Sequence, residues 1–299
     1  MNVIEVEHIN KAFGSKKAVD DISFQVGKGE IFGLLGPNGA GKTTTIRIML
    51  DIYKPDSGTV SIFDGAVSEG SKQRFGYLPE ERGLYQDIKL ETCLLYLASL
   101  KGVPRAEAKE RLGAYLEQFD LEEYRKKKIK TLSKGMQQKA QLIATLIHQP
   151  DLIVIDEPFT ALDPVNTQMV KDIFRQERER GTTIVMCTHQ MHQVEALCDR
   201  IALVNKGQLV LYGKLADIRR EHASRAVIVR TPGELPADLP GVAEVEAQNG
   251  DFHLHLAEGA TADDLLKDLV SREVSLESFS VAAPSLEEIF IEIVNGEGA

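Results

Sequence analysis

Eight consecutive residues, Gly36-Pro37-Asn38-Gly39-Ala40-Gly41-Lys42-Thr43, constrain this chain more than any other stretch. They fit the spacing G-x-x-x-x-G-K-[ST]. The apolar run Ile31 to Leu35 precedes them, and from Lys42 to Ile52 the side chains of Ile46, Met49 and Leu50 recur at helical spacing. Strand, glycine-rich turn and helix in that order make a phosphate cradle. Glycine lets backbone N–H groups approach phosphate oxygens, and the helix N-terminus adds positive potential. Lys42 reaches the β and γ oxygens, Thr43 can ligand Mg²⁺, and Thr44 completes the set facing the phosphates. A glycine turn that only caps a helix is the plain alternative, and the two flanks argue against it.

The rest of the chain reads as an α/β body with an appendage. Its 299 residues, 43% hydrophobic and 27% charged, can bury one large core and a small second one. Ile4 and Val6, then Ile22, Phe24 and Val26, alternate with polar neighbours and predict antiparallel strands. Lys54 to Gly58 is a turn signal, and Val60 to Phe63 a strand after it. From about residue 87 to 148 the pattern is helical: Leu90, Leu94 and Leu97 share a face, as do Leu112, Tyr115, Leu116 and Phe119. The last helix of this insertion runs from Lys134 to His148 with Ser133 as N-cap. Strands return at Leu152 to Ile155 and Thr183 to Cys187, separated by a helix that starts near Pro164 and stops at Gly181. Such alternation implies a parallel sheet. Ile201 to Val204 and Leu209 to Tyr212 form a closing hairpin.

A linker helix, Lys214 to Ala223, leads to a tail with its own pattern. Strands are expected at Ala226 to Val229, Val242 to Glu246 and Phe252 to Leu256, with Asn249-Gly250 as the turn between the last two. A helix from Thr261 to Arg272, a strand through Val274 to Val281 and a final helix follow, the last opened by a Ser285 to Glu288 capping box. The expected domains are therefore 1–220, a nucleotide-binding α/β body, and 224–299, a small α+β domain.

Composition removes several functions. A formal charge of -10 disfavours a protein that grips nucleic-acid phosphates. No apolar run approaches the roughly 20 residues of a membrane span, and the start MNVIEVEHIN lacks a signal sequence, so a cytosolic chain is expected. Cys93, Cys187 and Cys198 lie far apart and read as buried thiols. His253 and His255 share a strand face, which is too little for a metal site.

A second constellation completes the chemistry. Leu152 to Ile155 is an apolar strand that delivers Asp156 and Glu157 at its C-terminal end, where ligands bind in open α/β sheets. After a phosphate cradle, Asp156 is placed to hold Mg²⁺ and Glu157 to polarise the water that attacks the γ-phosphorus. Between the two motifs stands Leu132-Ser133-Lys134-Gly135-Met136-Gln137-Gln138. This run resembles the signature of ABC transporter ATPases, usually L-S-G-G-Q, with Lys134 and Met136 as departures.

The resemblance covers about residues 1 to 220 and implies an ABC cassette: a RecA-like P-loop core, an antiparallel β subdomain and a helical insertion. It implies an ATPase that uses ATP and Mg²⁺. Ser133 and Gly135 would close over the γ-phosphate held by an opposite subunit, and Asp163, in Ala161-Leu162-Asp163, would cross that interface. Phe13 stands where an aromatic stacks on adenine. Glu80 occupies the place of a metal-linked glutamine, with pairing to Arg82 as its plain alternative. His189, after Thr188, would sense the γ-phosphate beside Lys42 and Glu157.

The implied role is the motor subunit of an exporter. It would form a nucleotide-sandwich dimer with itself or a related ATPase, on the cytoplasmic face of the membrane through separate transmembrane permease subunits. Their docking is expected near Gly83 to Leu90, with Leu84 and Tyr85 as contacts. The tail resembles the C-terminal extension of sodium and antibiotic exporter ATPases of the ABC-2 type. Rivals are a soluble ABC ATPase acting on nucleic acid or ribosomes, and a nucleotide-dependent regulatory module. A GTPase would need N-K-x-D, whereas Asn205-Lys206-Gly207 is followed by Gln208.

Overall fold

The first 27 residues alternate buried and exposed side chains and fold back on themselves. In the computed structural model, which describes residues 1–296 apart from 82, 223–225, 234, 237, 249, 258 and 283, β1 (Asn2–Phe13) pairs antiparallel with β2 (Lys16–Gly27). Val6 lies opposite Phe24 and Ile9 opposite Ile22. The apolar run becomes β3 (Ile31–Leu35), every residue buried, and the glycine turn enters α1 (Lys42–Met49).

The helix ends before the expected Ile52. Asp51 takes a left-handed conformation (φ 58°), and the amides of Ile52 and Tyr53 both return to the Arg47 carbonyl, an arrangement that terminates a helix. β4 (Ser57–Ile62) starts earlier than the expected Val60 because it pairs along β1, with Ser57 opposite Asn10. β5 (Gly65–Ala66), α2 (Glu69–Gln73) and β6 (Phe75–Leu78) were not expected. Each is too short to display a period.

The helical insertion consists of α3 (Leu90–Leu100), α4 (Arg105–Gln118) and α5 (Lys134–Leu146), with two single 3₁₀ turns before α5. Leu90, Cys93, Leu94 and Ala98 pack inward from α3, and Ala108, Leu112, Tyr115 and Leu116 from α4. The chain then alternates: β7 (Leu152–Asp156), α6 (Pro164–Glu179), β8 (Thr183–Thr188), the one-turn α7 (Met191–Glu195), β9 (Arg200–Asn205) and β10 (Gln208–Lys214). The strand order is β10-β9-β3-β8-β7-β6. All neighbours are parallel except β9 and β10. β3 therefore runs between β8 and β9, and the turn after it opens mid-sheet at the carboxyl edge, where β7 and β8 also end. One core joins this sheet to the antiparallel one: Phe32, Leu34, Ile46, Met49, Val154 and Val185 pack with Ile4, Ile22 and Phe24.

The chain divides into two compact units, Met1–Leu215 and Ala216–Ala299. At the boundary lies α8 (Leu215–Glu221). In the second unit β11 (Ala226–Arg230), β12 (Val242–Gln248), β13 (Asp251–Leu256) and β14 (Ser278–Val281) make an antiparallel sheet in the order β12-β13-β11-β14. α9 (Ala262–Ser271) supplies Leu265 and Leu269 to a core with Val227, Val229 and Leu254.

The strand expected from Val274 is cut to β14, since the amides of Glu273 and Val274 close the end of α9 on the carbonyls of Val270 and Leu269. The capping box at the start of α10 (Leu286–Gly296) is present: Ser285 N–H donates to Glu288 Oε2 at 2.7 Å and Glu288 N–H to Ser285 Oγ at 3.2 Å. Ala223 of the expected linker helix and Asn249 of the expected turn lie outside the described residues. His253 and His255 are half-buried, and no three metal-binding side chains cluster among the described residues. No helix among them is long and apolar enough to cross a membrane.

Candidate nucleotide site

The loop after β3 is shaped by two glycines that no other residue can replace without moving backbone. A Cβ on Gly36 (φ 144°) would lie 2.1 Å from the Val204 carbonyl oxygen, and one on Gly41 (φ 109°) 2.3 Å from that of Ala18. The loop is thus pinned between the end of β9 and the start of β2. The amide of Gly207 donates to the Ala40 carbonyl at 2.8 Å, and that of Asp20 to the Gly207 carbonyl at 2.7 Å. The loop curls round the buried Lys42 ammonium, which donates to the carbonyls of Gly36 (2.8 Å) and Pro37 (3.1 Å). Pro37, Asn38 and Gly39 are exposed at the tip, and Ala40 is buried beneath them. Gly41 caps α1 without any side-chain acceptor and no acidic residue lies in the first turn, so its amides, with half-buried Thr43 and Thr44, make a position that favours an anion.

Across the sheet edge, Thr43 Oγ1 donates to Asp156 Oδ2 at 3.1 Å. Asp156 is 2% exposed and pairs in register with Cys187 of β8. Burial, and next the Asp156 charge, push the Cys187 thiol far above its usual range. The same two causes raise the half-buried Tyr77 phenol on β6.

Glu157 turns off β7 in the left-handed region (φ 53°), a conformation that costs of order 1–3 kcal/mol for such a residue and persists where the surroundings enforce it. Three donors do so: Thr188 Oγ1 reaches Oε2 at 2.9 Å, while His189 N–H (3.1 Å) and His189 Nδ1 (2.6 Å) meet Oε1. Thr43, Asp156, Glu157 and His189 are thus linked in hydrogen-bonded pairs along the edge from which Lys42 rises.

Ser133 and Gly135 belong to a different corner. Ser133 caps α5, its Oγ accepting from Met136 N–H at 3.2 Å, and is exposed. A Cβ on Gly135 would lie 3.0 Å from the Ala161 carbonyl oxygen, so the signature abuts the loop that follows Glu157 in the same chain. Asp163 caps α6, and the Asn166 amide holds its carboxyl below the usual range. Among the described residues no hydrogen bond joins Ser133 or Gly135 to residues 36–44.

Phe13 is 49% exposed, edge-on to Tyr53 at 5.7 Å between ring centres. Glu80 is exposed two residues past β6, and Arg82 lies outside the described residues. Leu84, expected as a surface contact, is buried, whereas Tyr85 is half exposed. Three supports escaped sequence reasoning. Thr188 is one. The others are Gln138, whose Nε2 donates to the Pro158 carbonyl (3.2 Å), and Gln141, whose Nε2 donates to the Glu81 carbonyl (3.3 Å). Their helical spacing of three was the available signal.

A divalent metal fits the donor set. Thr43 and Asp156 already bring a hydroxyl and a carboxylate oxygen within hydrogen-bond distance, and hard oxygen donors suit Mg²⁺. A family profile described as "ABC transporter" matches residues 19–160. Over 294 residues the chain is 36% identical to the uncharacterized ABC transporter ATP-binding protein YhaQ of Bacillus subtilis, covering 98% of each.

The chain is an ABC transporter ATP-binding protein. As a member of this ABC family it binds and hydrolyses ATP. Residues 213–294 match the C-terminal domain of the DrrA1-3-like ATP-binding proteins. The chain is also 33% identical over 238 residues to the Nod factor export ATP-binding protein I of Ralstonia nicotianae, a match that covers 79% of this chain and 74% of that protein. A solved structure described as an ATP binding subunit of an ABC transporter superposes with a TM-score of 0.68 at 32% identity, over 73% of this chain and 92% of the other.

Proposed function

We propose that this ATPase is the motor of an exporter, acting as a dimer with itself or a related subunit on separate transmembrane permease subunits at the cytoplasmic face of the cell membrane. The observation that carries the dimer is the split site. Lys42, Thr43, Asp156, Glu157 and His189 gather at one sheet edge, whereas Ser133 lies exposed at the cap of α5 and Gly135 against the Ala161 carbonyl. A second copy would complete each half. Kinship with a Nod factor export protein and the DrrA-like tail support the export role.

In this mechanism the free amides of the loop and the Lys42 ammonium bind and orient the ATP phosphates. Thr43 and Asp156, with Glu80 as a further oxygen, would hold Mg²⁺, which would supply charge neutralisation at the phosphates. Glu157 accepts the proton of the attacking water. Its geometry is prepared, because Thr188 and His189 fix both carboxylate oxygens before substrate arrives. His189 keeps its second ring nitrogen for the γ-phosphate. Phe13 lies open for the adenine, and Asp163 orders the loop that faces the partner subunit.

The test of catalysis is magnesium-dependent ATP turnover by purified protein, abolished by Lys42→Ala. Export is tested by reconstitution with a multi-span membrane protein, where one is encoded beside this chain. ATPase activity that this membrane protein neither binds nor stimulates would count against the transporter role.

A further inference from the structure

Beyond the reaction centre lies a cavity of about 690 Å³, lined among others by Thr160, Lys171, His189, Gln190, His192 and Gln193. Its chemistry is one-sided. No aspartate or glutamate is among the lining residues, while one ammonium, two imidazoles and several amides and hydroxyls are. Asp172, the nearest carboxylate in sequence to Lys171, is taken up by Gln168 Nε2 (2.9 Å) and Arg175 Nη1 (2.7 Å). Lys171 makes no ion pair among the described residues. Burial, then the Arg175 charge, hold its amine below the usual range, as befits a cation short of a counter-charge.

A second observation concerns Gln193, which is 8% exposed. Its Nε2 lies 2.9 Å from His192 Nε2, and its Oε1 is buried without a partner. Turning the amide half a turn lets Oε1 accept from the imidazole N–H and leaves the NH₂ group unpaired instead. In both orientations a buried polar atom lacks a partner, which costs about 1–3 kcal/mol unless a ligand or water supplies one. In the turned orientation that atom is a donor on a residue that lines the same cavity as Lys171, and a donor together with an ammonium is what an oxyanion needs. His189 connects the two places: Nδ1 lies on Glu157, and the residue also lines this cavity.

We infer that this cavity is a binding site for inorganic phosphate, occupied by the product as it leaves the reaction centre past His189. The inference rests on placing Glu157 and His189 at that centre. Lys171 supplies the charge and Gln193 an oriented hydrogen bond, with His192 Nε2 holding the Gln193 amide in that orientation.

The experiment uses the full-length chain carrying Lys42→Ala, which removes the phosphate grip of the glycine loop, and titrates it with inorganic phosphate by ³¹P NMR. Binding should persist, and adding Lys171→Gln should weaken it about tenfold, the loss of one charged hydrogen bond. His192→Asn, at an exposed position, should weaken it in the same direction and gives a second, independent variant. In the otherwise unchanged enzyme, Lys171→Gln should raise the phosphate concentration that half-inhibits ATP turnover by a similar factor, with KM for ATP held. Complete loss of phosphate binding in Lys42→Ala alone, or binding indifferent to Lys171→Gln and His192→Asn in folded protein, would overturn the site. Absence of ATP turnover in the parent would refute the catalytic assignment separately, since the titration does not depend on turnover.

Discussion

Replacing Glu157 by glutamine exchanges one carboxylate oxygen for an NH₂ group among three hydrogen bonds with known donors. The carboxylate accepts from His189 N–H and Nδ1 at Oε1 and from Thr188 Oγ1 at Oε2. An amide with its oxygen in the Oε1 position keeps the two His189 bonds. Its NH₂ then meets the Thr188 hydroxyl, which already accepts from Gln190 N–H at 3.1 Å but has a second lone pair and can rotate to accept again.

The structural cost is therefore about one ordinary hydrogen bond, ~1 kcal/mol, visible as a fall of about 3 °C in melting temperature. The chemical cost is far larger. An amide cannot take a proton from water, and the general-base contribution is typically about 10²–10⁴ in rate. Glu157→Gln should bind ATP like the parent, hydrolyse it at least about a hundredfold more slowly, and accumulate as ATP-bound dimers. Single-turnover hydrolysis, nucleotide binding and size-exclusion chromatography with ATP and Mg²⁺ measure these three. A folded, ATP-loaded variant that hydrolyses within tenfold of the parent would remove Glu157 from the role of base, and one that stays monomeric would count against the sandwich.

Gly41→Ala should abolish nucleotide binding and destabilise the protein by ~1–3 kcal/mol, measured by urea denaturation, because the new Cβ meets the Ala18 carbonyl at 2.3 Å in a left-handed backbone. Glu80→Gln should shift the Mg²⁺ concentration that half-activates ATP turnover in partner-free protein, whereas an unaltered magnesium curve would leave Glu80 outside the metal site. His148 is neutral in the fold, since burial lowers its imidazole to about 4 while Nε2 bonds the Phe75 carbonyl at 2.8 Å. Because the unfolded chain takes up this proton first, stability is present above about pH 6.5 and declines towards pH 4 by ~3 kcal/mol. That decline should be smaller in His148→Gln, and identical pH curves for the two proteins would refute it. Truncation after Glu221 should leave ATP binding measurable, because every residue assigned to the nucleotide lies in the first unit; loss of binding by a folded product would show that the tail is needed.

What was legible in the sequence was whatever local pattern dictates. β3 was bounded correctly because the apolar run ends at Gly36, in a backbone conformation that leaves no room for a side chain, and Ser133 and Ser285 announced helix starts through their own side-chain chemistry, as Pro164 did through its ring. Elements set by distant partners were harder. β6 has four residues, and it is a strand because β7 lies beside it, with Leu78 opposite Ile155. Its place in the sheet is nevertheless what brings Tyr77 near Asp156. The neighbours that clamp the glycine loop, Ala18 and Val204, are small and apolar and act through carbonyls, so no side-chain signal could reveal them.

The supports on α5 show why such contacts matter to the chemistry. One helix carries Ser133 at its cap, Gln138 one turn in and Gln141 three residues beyond. Gln138 holds the carbonyl of Pro158, the residue after Glu157, and Gln141 holds that of Glu81, the residue after Glu80. β6 and β7 are parallel neighbours, so these are the exits of adjacent strands, gripped from the same side by amides on a single rigid element. A shift of α5 that carries Ser133 towards a bound phosphate must therefore strain or move both exits together. Gly135, in contact with the Ala161 carbonyl, removes the slack that a larger side chain would introduce between helix and loop. The signature-like segment and Glu157, although they would serve opposite nucleotides in a dimer, are thus mechanically one piece within each chain.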